Sequence, residues 1–121
     1  LMKESGRKQL WIALSNFYLD TELQNYQYLH IADVCKEIQC SFEEAKEIDR
    51  TEVFPVLYKN LLSVAGVWDG FDEEWLVACC SKNQGKKDQP FFKFKNYIKL
   101  LIAGGHFKEN WKSFDQIVNP K

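Results

Sequence analysis

Apolar residues recur along the chain at helical intervals, and no stretch alternates apolar and polar positions as a half-buried strand does. Leu10, Trp11, Leu14, Phe17 and Tyr18 follow one helix face, and Leu29, Ala32, Val34, Cys35 and Ile38 do so more loosely. Ser41-Phe-Glu-Glu44 is a capping box, in which the Ser41 hydroxyl accepts from the third helical amide and Glu44 reaches back to the cap. It opens a stretch whose buried face is Phe42, Ala45, Ile48, then Val53 and Leu57. Pro55 fits an early position of a new helix starting near Thr51, where it needs no amide partner. Asp72 caps a further helix, with Glu73 and Glu74 at its positive end, and that helix is expected to bury Trp75, Leu76 and Cys79. Phe91, Phe94, Tyr97, Ile98, Leu101 and Ile102 make the cleanest amphipathic stripe, expected to face the core and to end at Gly104-Gly105. A last short helix carries Phe107, Trp111, Phe114 and Val118. The prediction is an all-α, compact single-domain bundle of about five to seven helices over residues 1–121, without repeats or linkers.

Length and composition agree. A chain of 121 residues, 45% hydrophobic and 27% charged, suits one globular domain and excludes a disordered tail, a collagen-like fibre or a disulfide-dense miniprotein. Its apolar runs, such as 75–80 and 97–105, are too short to span a bilayer, and no secretory signal opens the chain. Met2 reads as the initiator, with Leu1 extraneous to it. With no signal, a reducing cytoplasm is the expected compartment. Cys35, Cys40, Cys79 and Cys80 lack the spacing of a metal knuckle, so they are expected to be free core or incidental thiols, and no motif calls for a metal or cofactor.

Charge is uneven along the chain. Residues 20–75 hold thirteen acids and four bases, a net −9, whereas residues 76–121 hold nine lysines and three acids, a net +6. The bland reading is solvation of outer helix faces; the functional one is an electrostatically steered partner. Lys82, Lys86, Lys87, Lys93, Lys95 and Lys99 interleave with Phe91, Phe92, Phe94 and Tyr97 as in a nucleic-acid stacking platform, yet the stripe claims most of those aromatics for the core. The only arginines, Arg7 and Arg50, lie elsewhere, which disfavours nucleic acid as the partner. No phosphate loop, nucleophile elbow or metalloprotease helix is present, so no catalytic residue is assigned. A hydrolase built from Asp20, Glu22 and His30 stands as a minor alternative.

Residues 60–72 resist a purely structural account, being a long connection of low periodicity with Trp68 and Phe71 between glycines and aspartates. Structurally, Trp68 and Phe71 plug the core from a loop in which Gly66 and Gly70 supply positive φ. Functionally, an aromatic loop rimmed by Asp69, Asp72, Glu73 and Glu74 has the composition of a protein-binding hot spot.

The segments Trp11–Glu22, Glu52–Leu57 and Asn60–Phe71, with Trp75-Leu76, resemble an uncharacterised family of small bacterial single-domain proteins. The resemblance covers about residues 10–78 and leaves the basic helices of about 90–118 unassigned. It implies a bacterial, cytoplasmic, free-standing domain and supplies no catalytic or cofactor residue. The expected function is therefore protein binding, most concretely an immunity protein that neutralises a toxin, for instance a nuclease, by covering its basic active site. The partner surface is expected at Asp20, Glu22, Trp68, Asp69, Phe71, Asp72, Glu73 and Glu74. An adaptor or assembly role is the alternative, with an RNA-binding module or the small hydrolase behind it. The oligomeric state is left open.

Overall fold

The computed structural model describes residues 3–63 and 65–120; Leu1 and Met2, and so the reading of Met2 as initiator, lie outside them. Six α-helices are found among the described residues: α1 (Glu4–Leu14), α2 (Asn25–Glu37), α3 (Phe42–Ile48), α4 (Phe54–Leu62), α5 (Glu73–Lys86) and α6 (Pro90–Val118). A 3-10 turn, Ser15–Tyr18, tightens the end of α1, and a π-helical segment, Asp49–Val53, joins α3 to α4 without a break. No strand occurs among the described residues, in agreement with the all-α expectation.

Local sequence signals account for several boundaries. Ser41 and Glu44 close the capping box in both directions, at 3.1 and 3.2 Å, and Asp72 Oδ1 accepts from the Trp75 amide at 2.9 Å. Pro55 sits in the first turn of α4, three residues beyond the expected start, because the π segment occupies the turn before it. That widened turn misaligns backbone carbonyls, and side chains from two other helices satisfy them. Asn83 on α5 donates to the Glu52 carbonyl, and Asn96 on α6 donates to that of Arg50, both at 3.0 Å.

The core lies where α2, the 3-10 turn and α4 meet α6, with α1 packed against α2, α5 and the π segment. Leu10, Trp11, Leu14, Phe17 and Tyr18 are all buried, as their spacing predicts. Phe17 packs edge-on to Trp111 at 5.2 Å between centroids, Phe42 on Phe114 at 5.1 Å and Phe54 on Phe107 at 5.8 Å.

Three expectations are corrected. First, α6 does not stop at Gly104-Gly105 but continues as one helix of 29 residues. Its buried line runs through Asn96, Ala103, Gly104, Phe107, Trp111 and Phe114, so Phe91, Phe94, Tyr97, Ile98, Leu101 and Ile102 are turned to solvent at 40–69% exposure. Packing of the second half fixes the rotation of the whole helix, and the first half must follow. Second, α5 buries Leu76 and Cys80, one turn apart, which leaves Trp75 about half exposed and Cys79 half-buried. Third, Leu29 on α2 faces solvent, while Tyr28 and Ile31 turn inward. The α6 rotation has a direct test by urea unfolding. Phe94→Ser is expected to change the unfolding free energy by less than about 0.5 kcal/mol, as surface substitutions do, whereas a loss above about 2 kcal/mol would return Phe94 to the core.

Candidate functional site

The connection from α4 to α5 is held by one side chain. Asn60, in the last turns of α4, donates Nδ2 to the Tyr18 carbonyl at 2.6 Å and to the Val67 carbonyl at 2.9 Å, and its Oδ1 accepts from the Val67 amide at 2.9 Å. The Val67 carbonyl also receives the Asp20 amide at 2.7 Å, and Asp20 Oδ2 accepts from the Gly66 amide at 2.9 Å. The end of the 3-10 turn and residues 66–67 thus form one hydrogen-bonded unit. Glycine is required at 66 by space, because a Cβ there would stand 2.6 Å from Asn60 Oδ1, an atom its own bond holds in place. Gly70 is required by conformation, with φ at +144°.

Most of the expected partner residues are brought to one edge by this arrangement. Trp68 projects into solvent at 66% exposure, so the reading of Trp68 as a core plug is corrected. Phe71 does lie half-buried against the core, beside Val56, Leu57 and Val67 in a shallow groove of about 380 Å³ that Trp75 completes. Asp69 is exposed, Asp72 caps α5, and Glu73 and Glu74 stand in its exposed first turn. Asp20 joins the edge through its bonds to residues 66 and 67. None of these acids, nor Glu22, takes part in an ion pair among the described residues. Trp75 and the Asn60 clamp belong to this edge in addition to the residues expected there. The sequence signal for Trp75 was its place beside the Asp72 cap; Asn60 carried none, because its partners lie as far away as Tyr18.

Glu22 faces another depression of about 440 Å³, shared with Asp20, Tyr28, His106 and Asn110. His30 does not line it and stands exposed on α2, so the set Asp20, Glu22 and His30 is not assembled there; His106 takes that place.

Two of the thirteen acids of the middle segment are not at the surface. Glu52 is fully buried and accepts from Arg7, Trp11 and Lys87. Burial pushes its carboxyl up, but Arg7, Lys87 and Trp11 together outweigh that and hold it below the ordinary glutamate value. Asp49, 1% exposed, accepts from the Tyr18 hydroxyl at 2.5 Å and from Trp111 Nε1 at 2.7 Å. With no cation beside it, burial wins over those bonds and raises it to about 7. The signal was present: both acids fall at helical spacing among Ala45, Ile48 and Val53, on a stripe otherwise apolar. Cys35, Cys40 and Cys80 are buried free thiols, and burial pushes Cys35 up to about 12.

Among the described residues no three histidines, cysteines or carboxylates are placed to hold a metal ion, and no helix is long and apolar enough to cross a membrane. No curated protein and no solved structure matches the chain. Residues 5–117 match the family described as Domain of unknown function (DUF7079), a span that takes in α5 and α6 and exceeds the 10–78 stretch of the sequence resemblance. The chain belongs to that family.

Proposed function

We propose that this domain is a protein-binding module whose acidic edge covers a basic site on another protein, and that its task is that of an immunity protein neutralising a bacterial toxin in the cytoplasm. The observation that carries the reading is Trp68, two-thirds exposed next to residues 66 and 67, which Asn60 and Asp20 tie to the body, and beside the carboxylates of Asp69, Asp72, Glu73 and Glu74. A large aromatic beside a tied-down segment gives a partner an anchor to bury, and carboxylates without ion-pair partners around it speed encounter with a cationic surface. A toxin that cleaves nucleic acid needs such a surface for its own substrate.

The test is affinity capture with the tagged domain from its native cells at low and high salt, repeated with Trp68→Ala and with Asp69→Lys/Glu74→Lys. These variants spare the Asp72 cap and the Asp20 bond. One stoichiometric partner is expected, released by salt, bound about tenfold or more weakly by either variant, and inhibited in its own activity by the wild-type domain. Equal capture by both variants discards the acidic edge. A partner with no activity to inhibit points instead to an adaptor, a role favoured by a second surface of opposite charge between α4 and α6.

A further inference from the structure

The first half of α6 carries the longest run of apolar surface left in water. Phe91, Phe94, Ile98, Leu101 and Ile102 follow one another at spacings of one, three or four residues, opposite the line that packs on the core. A helix face of this kind, three turns long, is ordinarily covered in a working protein. Beside it runs α4, and Phe94, Ile98 and Ile102 from the stripe face Pro55, Val56 and Tyr58 across a groove of about 460 Å³ between the two helices.

The rim of that groove is cationic. Lys59, Lys95 and Lys99 line it, and no carboxylate does. Lys99 lies along the floor, with Nζ 5.2 Å from the centre of the Tyr58 ring and 3.3 Å from the Pro55 carbonyl. Lys95 stands over the Phe91 ring at 4.5 Å. None of the three has an acidic partner among the described residues. Partial burial, with Lys95 and Lys59 nearby, holds Lys99 below the ordinary lysine range. Like charges gathered at an apolar cleft are relieved by an occupant that brings negative charge.

We propose that the α4/α6 groove docks an amphipathic helix of a partner protein, its apolar residues at i, i+3 or i+4 and i+7 filling the cleft and its flanking carboxylates meeting Lys59, Lys95 and Lys99. The groove has the apolar lining and paired helical walls of helix-in-groove recognition. A second copy of this chain fits poorly: pairing the stripe with itself sets Lys95 and Lys99 against their counterparts, and α6 has no acid before Glu109 to relieve them. Nucleic acid would find Phe91, Phe94 and Tyr97 to stack on, but Ile98, Leu101 and Ile102 make up as much of the exposed face, and no arginine lines the groove to hold phosphate. An anionic bilayer fits poorly because Val56 borders both this groove and the one capped by Asp72, so lipid reaching one would meet the acidic edge beside it. The inference is independent of the acidic edge and uses the opposite charge.

The experiment is selection from a displayed library of random helical peptides on the full-length domain, in parallel with Ile98→Asp, Ile102→Asp and Lys59→Glu/Lys95→Glu. All four positions are exposed, and circular dichroism of each variant verifies its fold. Enriched peptides are expected to show the apolar spacing with Asp or Glu on its flanks. They should bind either aspartate variant about tenfold or more weakly, and the charge-reversed variant should select Lys- and Arg-rich peptides instead. The proposal is overturned if no peptide is enriched, if enriched peptides lack acids, or if Ile98→Asp and Ile102→Asp bind them as well as the wild type does. It is likewise overturned if the wild type, but not Ile98→Asp, dimerises, binds single-stranded RNA, or sediments with vesicles of equal parts phosphatidylserine and phosphatidylcholine.

Discussion

Glu52→Ala is expected to lower the unfolding free energy by about 3 kcal/mol or more, a large share of the roughly 5–15 kcal/mol that holds a domain together. The carboxylate has no exposed surface and accepts from Arg7 Nε at 2.9 Å, Arg7 Nη2 at 2.5 Å, Trp11 Nε1 at 2.9 Å and Lys87 Nζ at 2.9 Å. Alanine would orphan the Trp11 indole, which has no other partner in the core, and would leave a cavity between α1, the π segment and α5. The Arg7 and Lys87 side chains, 17% and 30% exposed, can partly return to water, which places the loss at the lower end of the range for broken buried pairs. Because the folded carboxyl sits below its ordinary value, its stabilisation is complete above about pH 4.5 and fades as pH falls through the lowered value. Urea titrations at neutral and acid pH should therefore show the gap between wild type and variant narrowing with acid. A gap under about 1 kcal/mol at neutral pH would mean that the ion pair only offsets its own desolvation.

The second large effect has the opposite sign. Asp49 is raised from 3.8 to about 7 by burial, so between those values the folded protein holds a proton that the unfolded chain releases. Stability from this group falls as pH rises through that window and levels off above about 7, a total on the order of 4 kcal/mol at 1.36 kcal/mol per pH unit. Asp49→Asn removes the titration and keeps the shape. The amide can turn Oδ1 to accept from Trp111 and Nδ2 to donate to the Tyr18 hydroxyl oxygen, the same exchange of direction with Tyr18 that a protonated Asp49 carboxyl makes. The variant is expected to match or exceed the wild type at about pH 8 and to lack the decline between about pH 4 and 7. Thermal unfolding across that range checks it, and parallel curves for the two proteins would refute the assignment. With Glu52 weakening the fold in acid and Asp49 weakening it above, the wild type should be most stable in weakly acidic solution.

What the sequence carried legibly was local. The α1 stripe, the capping box of α3 and the Asp72 cap each depend on residues within a turn or two, and each is found where expected. The rotation of α6 was not local. Two apolar stripes compete on that helix, and periodicity cannot tell which faces inward. The one continuous with Phe107, Trp111 and Phe114 wins because those aromatics fill the space beside Phe17 and Phe54. Two adjacent glycines argue for a break at about 1 kcal/mol each, and tertiary packing of a long helix overrides that. The charge count failed in a similar way, since it registered Asp49 and Glu52 as part of an acidic surface when their stripe positions place them inside. At the acidic edge, the residue types were legible and the means of holding them were not, because Asn60 and Asp20 reach the loop through folding rather than adjacency.

The bond between Asp49 and Trp111 spans 62 positions and that between Phe17 and Asn110 spans 93. On a ribosome, α1 and the turn after it emerge long before the helix that closes over them. Until residues 107–114 are translated, the nascent chain presents Phe17 and Phe54 without their aromatic cover, and Asp49 stays in water with its proton released. The turns of α6 that carry Phe107, Trp111 and Phe114 therefore act as a latch on vectorial synthesis: the core beside Phe17 and Phe54 closes only when they arrive.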